Sequence, residues 1–272
     1  MDCYVIMEEK TKSNRTVNLD KYNSTSLVCL DNHLNCSKLN QDIKMNSKAL
    51  FRMLFHVFTT FVYFCAIIRY EYLPPMPHKK PQDHFAGRLK YLTYWNLLVQ
   101  FLFFTLSSIM DFMKTSSSSY NKLTKLRDKF YAGIVLPYGV FVVAMFWILY
   151  GINRELIFPK VLDPVFPPWL NHVSHTVILP VLLIETYIIK HRHPRRRDGM
   201  KLTAAFGLCY GIWTLILGLG MDIWVYPVLQ IMNWTARIVF FAVSILFMFL
   251  QYLVGEKINC LFWGEGIVQK NK

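Results

Sequence analysis

The stretch Trp169-Leu-Asn-His-Val-Ser-His-Thr-Val-Ile-Leu-Pro180 opens an apolar segment that runs to Ile189, yet its first turns hold Asn171, His172, Ser174 and His175. A run of this length and apolarity reads as a helix crossing a bilayer. Polar and ionisable groups at membrane depth are costly and tend to mark functional positions. The stretch therefore bears on two questions together: the solvent in which the chain folds, and where its chemistry lies.

Outward from it lie five further apolar segments, Ala49–Ile68, Tyr91–Met110, Phe130–Ile152, Leu202–Met221 and Ala236–Leu253. With Pro168–Ile189 that makes six, each near the ~20 residues an α-helix needs to span the hydrocarbon core. Unbroken apolar runs are unlike the alternating strands of a membrane β-barrel. The composition agrees: 54% of the 272 residues are hydrophobic and 16% aromatic, more than a water-soluble domain carries. The expected fold is all-α and polytopic, a bundle of six transmembrane helices over residues 49–263. A polar tail, 1–48, is expected to be disordered, and a short tail, 264–272, follows the bundle. Pro137 and Pro180 fall inside two segments and predict kinks. Trp169, Trp224, Tyr226 and Trp234 sit at segment ends, as interfacial aromatics do.

The net charge of +13 would suggest nucleic acid in a soluble protein. Here most basic residues lie in the connections, where they set topology and meet anionic head groups, so no nucleic-acid partner is expected. One set of flanks (Lys38, Lys44 and Lys48 before segment 1, then 111–129, 190–201, and after Gly255) carries 17 Lys and Arg; the other (69–90, 153–167, 222–235) carries 7. The positive-inside rule then puts both termini in the cytoplasm. Three Asn-x-Ser/Thr sequons, at Asn14, Asn23 and Asn35, would go unused in that topology. The six cysteines form no Cys-x-x-Cys pair and suggest neither a zinc site nor a disulfide framework.

With this topology, helices 2, 4 and 6 all start on the non-cytoplasmic side. Thr93 lies about one turn into segment 2, with Asn96 a turn deeper on the same face. Asn171, His172 and His175 occupy the first two turns of segment 4. At ~1.5 Å per residue, Thr93 and His175 differ in depth by only a few ångströms. A hydroxyl and an imidazole on two helices in one leaflet are the minimum for base-activated nucleophilic catalysis. A threonine in a membrane helix more often bonds its own i−4 carbonyl, so the pair is a candidate only.

A metal site is the rival chemistry, since His172 and His175 are three apart and His191 and His193 follow. The second pair lies ~24 Å further along a helix of 1.5 Å rise and among arginines, so the two pairs cannot share a cation. No metal and no cofactor is expected. Glu185, deep in segment 4, needs a partner, and Arg52 or His56 of segment 1 are candidates. Asp163 and Asp222 lie on the correct side to orient a histidine, and the sequence does not choose between them.

Several pieces, in order, carry a family likeness: Lys90-Tyr-Leu-Thr-Tyr-Trp-Asn-Leu-Leu-Val-Gln100, Phe146-Trp-Ile-Leu-Tyr150, Asn153-Arg-Glu155 and Phe158-Pro-Lys-Val-Leu-Asp163. Trp169–Thr176, Trp224-Val-Tyr-Pro227 and Leu253-Val-Gly-Glu256 complete the set. Over about residues 49–263 the chain resembles the androgen-induced gene and androgen-dependent TFPI-regulating protein family, also called FAR-17a-like. The resemblance implies a membrane threonine hydrolase that cleaves fatty acid esters of hydroxy fatty acids, with Thr93 as nucleophile and His175 as base. Asn171, Asn96 and His172 are then candidate supporting or oxyanion residues. The implied partners are the bilayer and a long-chain lipid ester; protein partners are not indicated. The implied location is the endoplasmic reticulum or the plasma membrane. The alternative function is a non-enzymatic lipid-binding or transport protein with His175 as a polar gate.

Overall fold

The computed structural model describes residues 24–74, 85–113 and 118–264, with side chains from residue 47 onward. Cys3, Asn14, Asn23 and the tail from 265 lie outside the described residues. The chain divides into Met1–Phe51 and a compact unit, Arg52–Lys272, which holds the candidate site.

Among the described residues all regular structure is helical. The helices are α1 (Ser24–Glu71), α2 (Leu92–Asp111), α3 (Ser118–Phe130), α4 (Leu136–Asn153), α5 (Pro168–His175), α6 (Ile178–Ile188), α7 (Arg196–Met221), α8 (Pro227–Ile231) and α9 (Trp234–Trp263). Five stretches are long and apolar enough to cross a membrane: Ser47–Glu71, Leu92–Asp111, Ser118–Leu156, Arg196–Met221 and Trp234–Trp263. The protein is an integral, multi-pass membrane protein.

Three boundaries differ from the sequence expectation. α1 begins at Ser24, inside the tract expected to lack regular structure. Once a helix is nucleated in the apolar part, extending it through a polar stretch costs little per residue. The basic connection before segment 3 is also helical, because amphipathic α3 runs into α4 through a π turn at Tyr131–Val135. Finally, the apolar segment 168–189 is not one helix but two, α5 and α6.

The two prolines account for the last two features. Pro180 has no N–H for the Thr176 carbonyl, and the helix breaks at Thr176 and Val177. The His175 carbonyl is taken instead by the Trp147 indole N–H of α4 at 2.8 Å. Pro137 likewise leaves the Gly133 carbonyl without its i+4 donor, next to the π turn. Thr203 Oγ1 of α7 donates to that carbonyl at 2.7 Å, and Gln100 Nε2 of α2 donates to the Val135 carbonyl at 3.0 Å. The bundle thus satisfies the backbone groups that the kinks free, as a low-dielectric solvent demands.

α4 is the central helix and packs against α2, α5, α6 and α9. The core around it is aromatic, with Tyr63, Phe103, Phe104, Tyr131 and Tyr138 fully buried. The outer helices instead present apolar faces outward, Leu208, Ile212, Ile216 and Leu219 on α7 and Ile238, Leu246 and Leu250 on α9. Such a surface suits contact with acyl chains.

α4 approaches α2 and α6 closely through Gly139. A methyl group there would meet Leu182 Cδ1 at 2.5 Å and Gln100 Nε2 at 2.8 Å, both on fully buried side chains. Gly139→Ala is expected to destabilise by about 1–3 kcal/mol through overpacking, despite its gain in helix propensity. A lowered thermal unfolding midpoint in detergent is the readout; an unchanged midpoint would mean that the crossing is looser than drawn.

Candidate active site

α2 starts with an unusual cap. Tyr91, its N-cap, provides no side-chain acceptor, yet the first helical amide is not orphaned. The Leu92 N–H donates to the hydroxyls of Tyr210 on α7 and Tyr226 in the 222–226 connection, each at 3.0 Å. Tyr210 in turn donates to the Lys90 carbonyl at 3.0 Å. This fixes the entry of α2 and with it Thr93, the second helical residue, in the positive field of a helix N-terminus.

Opposite it, α5 ends at His175. Ser174 ties α5 to α1 through the Tyr70 hydroxyl at 3.1 Å. The His175 ring stacks on Phe146 of α4, centroids 3.8 Å apart and planes 14° from parallel. Its Nδ1 faces the Asn171 side-chain oxygen at 2.8 Å, with the Asn171 carbonyl at 3.1 Å. Both are acceptors, so Nδ1 carries the proton and Nε2 presents a lone pair. Nε2 lies 3.2 Å from Thr93 Oγ1. A hydroxyl facing a neutral imidazole whose other nitrogen is held by an acceptor is an arrangement that can activate an oxygen nucleophile.

Two cavities meet here. The larger, about 380 Å³, is apolar and lies between α4, α7 and α9; the smaller, about 150 Å³, lies beneath the 157–166 connection and contains His175. Thr93, Phe146, Ile157 and Tyr226 line both. The nucleophile candidate thus stands at the junction of the two chambers.

The other sequence candidates are placed as follows. Asn171 touches His175 through its acceptor oxygen, so it orients the ring. Asn96 is fully buried below Thr93, with Oδ1 accepting from Gln100 Nε2 at 3.2 Å, and it lines neither chamber. His172 turns away, with Nδ1 3.2 Å from Thr176 Oγ1 and its ring against Trp147. Neither aspartate that the sequence offered as a histidine partner reaches His175. Asp163 pairs with Arg154 at 2.6 Å, and Asp222 caps α7 in the left-handed conformation. The i−4 spacing of Asn171 on a helix was a usable signal for its role. Tyr226, Phe146 and Arg88, which also line the chambers, carried no such signal. Burial pushes the Tyr226 phenol above its ordinary range, which keeps it a neutral donor.

His191 and Glu185 belong to a different assembly. A chain of ion pairs, buried except at Arg52, runs from Arg52 to Asp111 (2.7 Å), His56 (2.6 Å), Glu185 (2.9 Å), His191 (3.2 Å) and Asp128 (3.1 Å), closing on Arg127 at 2.8 Å. The Glu185–His56 contact is one of the two pairings anticipated. Among the described residues, no three His, Cys, Asp or Glu side chains are grouped so as to hold a metal ion.

Fold and site together define a multi-pass helical membrane protein with a polar pair at the junction of two apolar chambers. The description of the FAR-17a/AIG1-like protein family matches residues 51–260, and the chain belongs to that family. It is 37% identical to the human androgen-induced gene 1 protein over 188 residues, 66% of this chain and 79% of that one. The human androgen-dependent TFPI-regulating protein is 38% identical over 182 residues, with the same coverage, and its golden hamster (Mesocricetus auratus) counterpart is 39% identical over 191 residues, 70% of this chain and 83% of that one. No solved structure matches.

Proposed function

We propose that this protein is a membrane-embedded lipid esterase that hydrolyses fatty acid esters of hydroxy fatty acids. The observation that carries the reading is the 3.2 Å approach of Thr93 Oγ1 to His175 Nε2. The substrate enters from the bilayer with its ester at the chamber junction. Thr93 Oγ attacks the carbonyl carbon while its proton passes to His175 Nε2. The tetrahedral intermediate collapses, the ester C–O bond breaks, and the departing alkoxide takes the proton from Nε2. An acyl-threonine remains. Water then gives a proton to Nε2 and its hydroxide to the acyl carbon. Thr93 Oγ leaves, is reprotonated by His175, and the fatty acid is released.

The developing oxyanion needs donors. Tyr226 lines both chambers, and its hydroxyl, held at the positive end of the α2 dipole by the Leu92 N–H, is the donor we assign. Asn171 serves as the orienting group, and Asn96, which lines neither chamber, takes no part at the oxyanion. Both termini are taken to be cytoplasmic, which puts the site in the opposite leaflet.

Fluorophosphonate labelling tests the reading. The wild-type protein should be modified at Thr93, and Thr93→Ser should still react. A folded protein that resists the probe would instead favour a lipid-binding or transport role. The orienting role of Asn171 predicts a specific pattern. Asn171→Ala should lower kcat by about 10–100-fold with little change in KM, whereas Asn171→Asp should recover much of the loss, because a carboxylate also accepts from Nδ1. Equal activity of all three would remove Asn171 from the mechanism.

A further inference from the structure

The smaller chamber is mostly aromatic and aliphatic, but Arg88 is the one permanently charged side chain among the described residues that line it. Arg88 stands in a short 3₁₀ turn, Gly87–Lys90, five residues before Thr93. Its Nη2 donates to the Leu73 carbonyl at 2.7 Å, which holds the guanidinium by one edge. A guanidinium has five N–H donors in a planar fork, and this bond uses one of them. The backbone just before it is strained: Ala86 adopts φ 59° and Gly87 φ 50°. A non-glycine residue in the left-handed region persists where the surroundings impose it, and such strain gathers at ligand sites.

The two chambers differ in kind. Among the described residues that line the larger one, the only basic side chain, Arg237, has its guanidinium 3.6 Å from the centroid of the Trp224 ring and donates to the Leu229 carbonyl at 2.9 Å. The smaller one combines Arg88 with the Thr93 and His175 side chains. A two-armed ester lying across Thr93 would place one arm in an apolar space and the other beside a fixed cation. A planar oxyanion on that arm matches the fork geometry of arginine, and such a charge-assisted, two-pronged pair adds specificity as well as energy.

We propose that Arg88 forms an anion subsite in the smaller chamber and binds the carboxylate of an acidic lipid whose ester bond lies at Thr93. The proposal rests on the reading of Thr93 and His175 as the reacting pair. It makes Arg88 a specificity-determining residue, with the alcohol-side fragment in the smaller chamber and the acyl chain in the larger.

Two measurements on the purified full-length protein test it. The first is equilibrium binding of radiolabelled oleate, methyl oleate and oleoyl lysophosphatidate in detergent. Wild type should bind oleate at least about tenfold more tightly than methyl oleate. Arg88→Gln should abolish that difference, and Arg88→Lys should retain part of it. Equal binding of acid and methyl ester by wild type, or a preference that survives in Arg88→Gln, would overturn the proposal. Tighter binding of lysophosphatidate than of oleate would overturn the carboxylate assignment in favour of a phosphate headgroup. The wild-type comparison stands even if Arg88→Gln does not fold.

The second is turnover of a fatty acid ester of a hydroxy fatty acid beside its methyl-capped form. Arg88→Gln should raise KM for the free acid and leave the capped form unchanged; a merely structural role would depress both equally. Selective oleate binding without ester turnover would leave the subsite standing and remove the hydrolase reading. Equal turnover of both forms by wild type would do the reverse.

Discussion

Thr93→Val is expected to lower ester turnover by at least about 10³-fold while leaving the fold intact. Valine replaces the hydroxyl by a methyl of the same shape, so packing at the chamber junction is preserved. The lost group is the one 3.2 Å from His175 Nε2. His175→Ala should be as severe, because an unactivated hydroxyl is a poor nucleophile near neutral pH. The double variant should be no worse than either single one, since residues acting as a unit are grossly non-additive. Thr93→Ser should keep substantial activity. Turnover of a long-chain lipid ester by purified protein, with thermal unfolding as a folding control, gives the answer. If Thr93→Val retained more than a tenth of wild-type turnover, Thr93 would not be the nucleophile.

The second large effect lies in the other half of the bundle. Glu185→Ala is expected to destabilise by about 3–5 kcal/mol, the usual result of removing one member of a buried ion pair. Glu185 is fully buried and contacts both His56 and His191, which are buried as well. Its loss leaves two imidazoles facing each other across a cavity, while Asp111 and Asp128 keep Arg52 and Arg127. Replacing Glu185, His56 and His191 together by apolar residues of similar volume should cost less than the single change, because no charge is then left unpaired in that step of the chain. The thermal unfolding midpoint in detergent reads both. A single variant no less stable than the triple would show that the pairing is not what stabilises this region.

Much of the fold was legible because lipid imposes a simple code. The six apolar segments all carry helix, and the break in the fourth follows from Pro180. What the code lacks is the extent of the helices beyond the lipid-facing part. α3 reads as a charged connection, yet it continues into α4, and α1 reaches back to Ser24. Polar flanks are written in composition, which does not separate a solvated helix from a loop.

The candidate site was legible in part. The expected topology put Thr93 and His175 in one leaflet, and the resemblance chose them from among the polar residues there. Glu185 pointed to Arg52 or His56 because a buried carboxylate needs a partner; it meets His56, and Arg52 pairs with Asp111 instead. The second partner of Glu185, His191, and the terminal Asp111 and Asp128, depend on contacts between segments far apart in sequence. Tyr226 and Arg88 lie in connections, where no periodicity announces which way a side chain points. Asp163 and Asp222 were offered as histidine partners on the assumption of a carboxylate; the ring is held by an amide one helical turn away.

The break at Thr176 and Val177 has a mechanical meaning. A continuous helix would make its two ends move as one rod, so any shift at His175 would strain the Glu185 ion pairs ~15 Å away along the axis. With the rod cut, and the freed His175 carbonyl held by Trp147, the two halves become separately tunable parts. Substitutions in α6 can then adjust robustness without disturbing the Thr93–His175 pair, and those in α5 can reshape that pair without loosening the anchor.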